Sequence, residues 1–218
     1  MQPVTSLSGR LSALKEQTLT MPPVKISEVV LQTSNYEPMR EWYEAVLGTP
    51  WSIVNTPKGP AKQRLGDGGK QVHASDVRCS FMFLDRTLPY GQMFAIFEIP
   101  SVGAQPTIDP GLNHMQFKHV GLAALIERVR LLRDADIHPH RCANHGPITS
   151  FYFRDPDQNV VELCSNNYDT EESFFGYFQS AAFKANPSGI DIDRDAFLAR
   201  FDNGEPLSEL IRIPEQAT

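Results

Sequence analysis

NHGPITSFYFRDPDQNVVELCSN, residues 144–166, is the stretch whose reading decides the rest. From Thr149 to Arg154 the residues alternate, with Phe151 and Phe153 on one side and Ser150, Tyr152 and Arg154 on the other. That is the two-residue period of a strand. DPDQN follows with turn chemistry: Pro156 presets φ, and Asp155, Asp157 and Asn159 bond their own backbone or accept left-handed geometry. The chain therefore reverses into VVELC, giving a β-hairpin in which Val161 and Leu163 face one side and Glu162 the other. A carboxylate in the middle of an apolar run is either a surface group on an edge strand or a group with a specific partner.

Working outward from the hairpin, the same organisation occurs twice. LNHMQFKH, residues 112–119, alternates with Met115 and Phe117 on one face and His114, Gln116 and Lys118 on the other. Residues 122–135 read as an amphipathic helix, and three short strands end at Cys164. In the first half, ISEVVLQTS (26–34) is a strand and YEPMREWYEAVLG a helix, with Pro38 tolerated in its first turn and Gly48 as its stop. Strands at 51–54, RCSFMFLD and MFAIFEI complete that half. Both halves read βαβββ, as an internal duplication would. Superposing them sets Glu28 opposite His114 and Glu98 opposite Glu162. The domain organisation is an N-terminal arm over 1–23, modules over 24–104 and 105–167, and a helical tail over 168–218.

Three segments stand outside the repeats. Leu7, Leu11 and Leu14 form a helical stripe in the arm, stopped by Pro22 and Pro23. Residues 55–76 form a long polar loop with Gly59, Gly66, Gly68 and Gly69, of the kind that serves as a lid. The tail carries Phe174, Phe175, Phe178 and Phe183 before NPSG breaks it and DRDAFLARF resumes; such an apolar tail packs across a subunit, as in a homodimer, or over the mouth of a cleft.

Composition narrows the function classes. The 218-residue chain is 41% hydrophobic with a net charge of -6, and its basic residues form no run or aromatic-basic stripe, so nucleic acid is not the expected partner. No apolar run reaches the length of a membrane span, so no membrane partner is expected either. Cys79, Cys142 and Cys164 contain no CxxC pair, which points to neither a disulfide framework nor a zinc knuckle and fits a reducing, cytoplasmic location. His138, His140 and Cys142 recur at alternate positions, but three neighbours on one strand rarely close a metal site without a fourth ligand, and a solvated edge strand is the favoured reading. A small-molecule substrate is the remaining expectation.

The paired βαβββ modules, GLNHMQF opening the second, NHGPITSFYFRDPDQNVVEL closing it and the tail FxxNPSGIDID together resemble the vicinal oxygen chelate superfamily of glyoxalases, bleomycin resistance proteins and extradiol dioxygenases. The similarity is greatest to the catechol or biphenyl-diol dioxygenase-like branch. It implies an α+β fold in which paired βαβββ modules form a curled mixed sheet around a metal cleft. It also implies metal ligation by His114 and Glu162, with Glu28 as third ligand and Glu98 as a possible fourth, and assistance from His145 and Tyr152. The implied cofactor is a divalent metal ion, Fe(II) favoured, with Zn, Mn, Ni or Mg as alternatives. In the dioxygenase-like relatives a histidine stands where this chain has Glu28, while glyoxalase I has a glutamate at the position assigned to Glu98; YGQMFAIFEIP also lacks the relatives' histidine pair. The implied activities are therefore a dioxygenase acting on a small oxygenated, aromatic substrate, a redox-neutral lyase, isomerase or cyclase, or metal-free binding of a small molecule.

Overall fold

The structure is a computed structural model that describes residues 25–59, 74–103 and 112–213. The leucine stripe of the arm and most of the loop expected as a lid lie outside the described residues. The first half forms β1 (Glu28–Thr33), α1 (Tyr36–Leu47), β2 (Ile53–Asn55), β3 (Cys79–Asp85) and β4 (Gln92–Glu98). The second forms β5 (Met115–His119), α2 (Leu122–Asp134), β6 (Arg141–Asn144), β7 (Ile148–Arg154) and β8 (Val160–Asn166). The tail supplies α3 (Glu171–Tyr177), α4 (Ala181–Ala185), β9 (Ile190–Asp191), α5 (Arg194–Asp202) and α6 (Leu207–Leu210). The α+β architecture of paired βαβββ units is present, with its strands divided into two mixed sheets ordered β1-β4-β3-β2 and β5-β8-β7-β6-β9. In each sheet the first strand of the unit runs parallel to the last. The tail is not wholly helical, since β9 adds a strand beside β6. None of the described helices is long and apolar enough to cross a membrane.

Local chemistry explains the element ends. Gly48 closes α1 in the left-handed region at φ 62°, donating its N–H to Glu44 O at 2.9 Å. In the DPDQN turn the left-handed position falls to Gln158, at φ 69°, rather than to an Asp or Asn. It is held there because Asp155 gathers the turn: its carboxylate accepts from Asp157 N at 3.0 Å, Asn159 N at 2.8 Å and Asn159 Nδ2 at 2.9 Å. The turn then delivers β8 in register with β7, Tyr152 opposite Glu162.

One face of each sheet is covered by helices, and the two helix-side cores are continuous through α1. Tyr36, Met39 and Tyr43 of α1 pack with Phe94 and Ile96 of β4 and also with Met115 of β5 and Val161 of β8. Further along the same helix, Val46 joins the core built by α2, Phe151, Phe153 and Leu163, onto which Phe197 and Leu198 of α5 also close. Phe94 and Phe117 meet edge to face at 6.0 Å between the sheets. A polar staple joins the halves as well: the buried Tyr43 hydroxyl donates to Asp155 Oδ2 at 2.8 Å. Burial, and after it the Asp155 charge, raises the Tyr43 phenol well above its ordinary value, and burial raises the Asp155 carboxyl.

Tyr43→Phe keeps the ring and removes the one donor that reaches the turn from the other half. Urea unfolding is expected to show a loss of about 1–3 kcal/mol, the usual result of leaving a buried acceptor short of a partner. A change within about 0.5 kcal/mol, as surface substitutions give, would show that the staple does not couple the halves.

Candidate metal centre and proton site

Glu162 lies on β8 between β5 and β7, so the edge-strand reading of this carboxylate does not hold. Its neighbours Val161 and Leu163 fill the helix-side cores, which turns Glu162 to the opposite face. There it is 1% exposed. Oε1 accepts from Ser150 Oγ at 2.6 Å, and Oε2 lies 3.1 Å from His114 Nε2. Parallel pairing sets Gln116 beside Glu162, and His114 precedes Gln116 by two residues on the same face, one residue ahead of the start of β5. The other ring nitrogen, His114 Nδ1, is 2.7 Å from Asn113 Oδ1. Both nitrogens thus face oxygen acceptors. A neutral imidazole carries one N–H, so it satisfies one of them; the second needs either a further proton or a cation between Nε2 and the carboxylate.

Tyr152 sits next to Glu162 across the β7–β8 pair, and its hydroxyl is 2.8 Å from His145 Nε2. Burial first, and then the charge of Glu162, pushes the Tyr152 phenol up to about 12, so this hydroxyl holds its proton in the resting protein. His145 Nδ1 is 2.7 Å from the backbone oxygen of Ser188. The guanidinium of Arg141 lies over the Tyr152 ring at 5.3 Å, and the His140 ring is 6.5 Å away, its imidazole pushed down by burial and then by Arg154 and Arg141. Within one patch of sheet the chain therefore brings together His114 and Glu162 with Tyr152 and His145. The His114 and Tyr152 rings are 6.2 Å apart.

Glu28 is exposed at the start of β1. It shares with His114 a cavity of about 740 Å³ between the edge strands β1 and β5, lined also by Met93, Phe117 and Lys118. Among the described residues, no three His, Cys, Asp or Glu side chains converge closely enough to hold a metal. Glu98 is elsewhere, and the register shows why. Val30 pairs with Ala95 as Gln116 pairs with Glu162, so Ala95 takes the place of Glu162 in the first half. Glu98 is three residues further along the strand, an odd number, and so lies on the helix side. There it accepts two 2.7 Å hydrogen bonds from Arg78, which also reaches Glu37 of α1 at 2.6 Å. These bonds hold the Glu98 carboxyl below its ordinary value.

The His138, His140 and Cys142 set also separates. His138 bonds Asp136 and Arg194, His140 stands by Tyr152, and Cys142 is buried in the core. β9 pairs with β6 at Ala143 and Asn144, while His138 and His140, ahead of β6, are exposed as a solvated edge would have them. Ser150, Asn113 and Ser188 are the partners that sequence reasoning did not assign. Ser150 was legible in part, sharing the strand alternation of Tyr152. Asn113 and the Ser188 carbonyl carry no pattern that marks them.

Residues 25–163 match the family described as Glyoxalase/Bleomycin resistance protein/Dioxygenase superfamily. The chain is 29% identical over 195 residues to biphenyl-2,3-diol 1,2-dioxygenase 3 of Rhodococcus globerulus, a similarity covering 88% of this chain and 89% of that enzyme. It is 26% identical over 192 residues to biphenyl-2,3-diol 1,2-dioxygenase 2 of the same organism, covering 85% and 86%. Among solved structures it is similar to a glyoxylase/bleomycin resistance protein/dioxygenase domain from Frankia sp. EAN1pec, with 19% identity over 66% of this chain and 99% of that one and a TM-score of 0.48.

The Glu98–Arg78 ion pair carries a pH-dependent share of the stability. Its folded pKa is depressed by Arg78, so its contribution to stability is present above the ordinary carboxyl pKa and is lost as pH falls through the depressed value. Glu98→Gln is expected to lower the unfolding midpoint at pH 7, to converge on the parent as pH falls through the depressed value, and to leave metal content unchanged. Loss of bound metal in this variant would return Glu98 to the metal site.

Proposed function

The chain belongs to the Glyoxalase/Bleomycin resistance protein/Dioxygenase superfamily, and on that premise we propose that it is a metal-dependent, dioxygenase-like enzyme acting on a small aromatic substrate with two neighbouring oxygens. The observation that carries this reading is the His114–Glu162 pair, 3.1 Å apart and next to the Tyr152–His145 hydrogen bond. An imidazole nitrogen and a carboxylate oxygen, both donors that divalent metals take, are thus side by side and would hold an ion together. Asn113 on Nδ1 supports the same assignment, because ligating histidines donate their other N–H to an oxygen and turn the remaining lone pair to the metal. His114 and Glu162 would hold the ion, with Glu28, on the facing wall of the cavity, as the third donor. The similarity to two biphenyl-2,3-diol dioxygenases favours an aromatic diol.

When bound, the metal supplies Lewis acidity and a chelation point for two adjacent oxygens. The chain's own residues do the rest. Ser150 donates to Oε1, which keeps the Glu162 carboxylate turned so that Oε2 stays beside His114. The Tyr152 O–H, kept protonated by burial and by Glu162, is a hydrogen-bond donor for an anionic substrate oxygen. In the absence of substrate that hydroxyl donates to His145 Nε2; when it turns its one hydrogen to a substrate oxygen, the bared Nε2 is the group placed to take up a proton as the substrate ionises. Met93, Phe117 and the other apolar side chains of the cavity wall suit the face of an aromatic ring and limit the water around it.

A second reading rests on Glu28. An exposed carboxylate in the same cavity as His114 suits proton abstraction in a redox-neutral lyase, isomerase or cyclase reaction, in which the metal would stabilise an enolate.

His114→Ala and Glu162→Ala are each expected to purify folded with metal content reduced at least about tenfold, since loss of a ligand costs affinity more than stability. Wild-type metal content in both would overturn the ligand assignment. Incubation of the metal-loaded enzyme with a catechol-type diol is expected to consume oxygen in proportion to product. Product formation at full rate under strict anaerobiosis would overturn the dioxygenase reading in favour of the redox-neutral one.

A further inference from the structure

The tail reaches the site through four residues, Asn186, Pro187, Ser188 and Gly189. They form a tight turn in which Gly189 N donates to Asn186 O at 3.3 Å and Asn186 Nδ2 donates to Gly189 O at 2.8 Å. Gly189 has φ +70°, and a Cβ there would overlap the Asn144 carbonyl and come within 2.5 Å of His145 Cα. The turn thus lies directly on the backbone that carries His145, closer than any residue with a side chain allows. The next residues lock it in place. Asn144 pairs with Ile190 and Ala143 with Asp191, and Ile192 N donates to Cys142 O at 3.0 Å. Beyond β9, Phe197 and Leu198 anchor the strap in the helix-side core.

The Ser188 carbonyl of this turn meets the site, 2.7 Å from His145 Nδ1. A carbonyl oxygen only accepts, so Nδ1 must carry the hydrogen, and a neutral ring then presents its lone pair at Nε2. Nε2 is the nitrogen 2.8 Å from the Tyr152 hydroxyl. If the hydrogen were on Nε2 instead, Nδ1 would have none to give the Ser188 carbonyl, and Nε2 could only donate to the Tyr152 oxygen, with no lone pair left to take up a proton.

We propose that the Asn186–Gly189 turn is a positioning element of the active site, which sets the tautomer of His145 through the Ser188 carbonyl and so keeps Nε2 free to accept a proton. The inference rests on the reading of Tyr152 and His145 as the proton-handling pair. Gly189 makes it possible by letting the turn approach, and Asn186 braces the turn.

The test is nitrogen NMR of the full-length, metal-loaded protein labelled with ¹⁵N-histidine, with the His145 resonances assigned from His145→Gln. In the wild type, Nδ1 is expected to show the protonated, pyrrole-type shift and Nε2 the bare, pyridine-type shift. In Gly189→Ala both resonances are expected to move toward the tautomer average. Turnover of a catechol should fall roughly ten- to a hundredfold, as misplaced catalytic groups give, while KM and metal content change little. Should Gly189→Ala not fold, Asn186→Ala, which removes the side-chain brace to the Gly189 carbonyl, is expected to give the same change in smaller degree. A pyridine-type Nδ1 in the wild type would overturn the proposal, as would wild-type resonances in a folded Gly189→Ala or Asn186→Ala protein. The predicted wild-type tautomer in a protein that turns over no diol would instead count against the proposed function and leave the positioning role standing.

Discussion

A carboxylate buried in the middle of a β-sheet is the constraint on which the second half of this chain depends. Glu162 is nearly inaccessible, and an ion so placed costs several kcal/mol unless its oxygens are satisfied. Ser150 from β7 and His114 from the approach to β5 meet that demand, one on each oxygen. Because the two partners come from the strands on either side, the demand specifies both neighbours and their register. A slip of one residue in either pairing would turn Ser150 or His114 to the helix side and set an apolar neighbour, Phe151 or Met115, beside the carboxylate instead. The same interaction that makes the sheet specific collects the groups proposed for chemistry.

The register of β8 is in turn secured from a distance. It begins at the Asp155 turn, and Asp155 is bound by Tyr43 from the helix of the other half. Since α1 packs simultaneously on β4 and on β5 and β8, the two βαβββ units share one apolar interior instead of meeting across a surface. The duplicated halves have diverged in how they use equivalent places. At the position of Glu162 the first half has Ala95, fully buried with Cys79 and Phe97, and its nearby charge, Glu98, has become a clamp between β4 and Arg78. One sheet holds the His114–Glu162 and Tyr152–His145 pairs on the face away from its helix, while the other contributes Met93 and Glu28 to the cavity.

The tail belongs to the site as much as the strands do. β9 extends the second sheet next to the strand that leads into His145, and α5 seals the core beneath it. Tyr177 of α3 lies against Gly146, and the ammonium of Lys118, on the same strand face as His114, is 5.3 Å from the Phe174 ring. The phenylalanine-rich segment thus packs against the second half at Gly146 and Lys118, while the Asn186–Gly189 turn reaches His145.

What the sequence determined by itself was local. The hairpin, the repeat, the caps at Gly48 and Asp155, and the shared polar face of Ser150, Tyr152 and Glu162 were legible because alternation along a strand is imposed by covalent geometry and survives in any context. Matching the halves by eye failed at Glu98, since apolar runs of similar length conceal a shift of three residues until hydrogen bonding sets the register. Tertiary structure alone decided the rest. Tyr43 meets Asp155 across 112 positions and Ser188 meets His145 across 43. The second of these contacts is made by a backbone carbonyl, a group that every residue carries, and what sets it apart is only where the folded chain holds it.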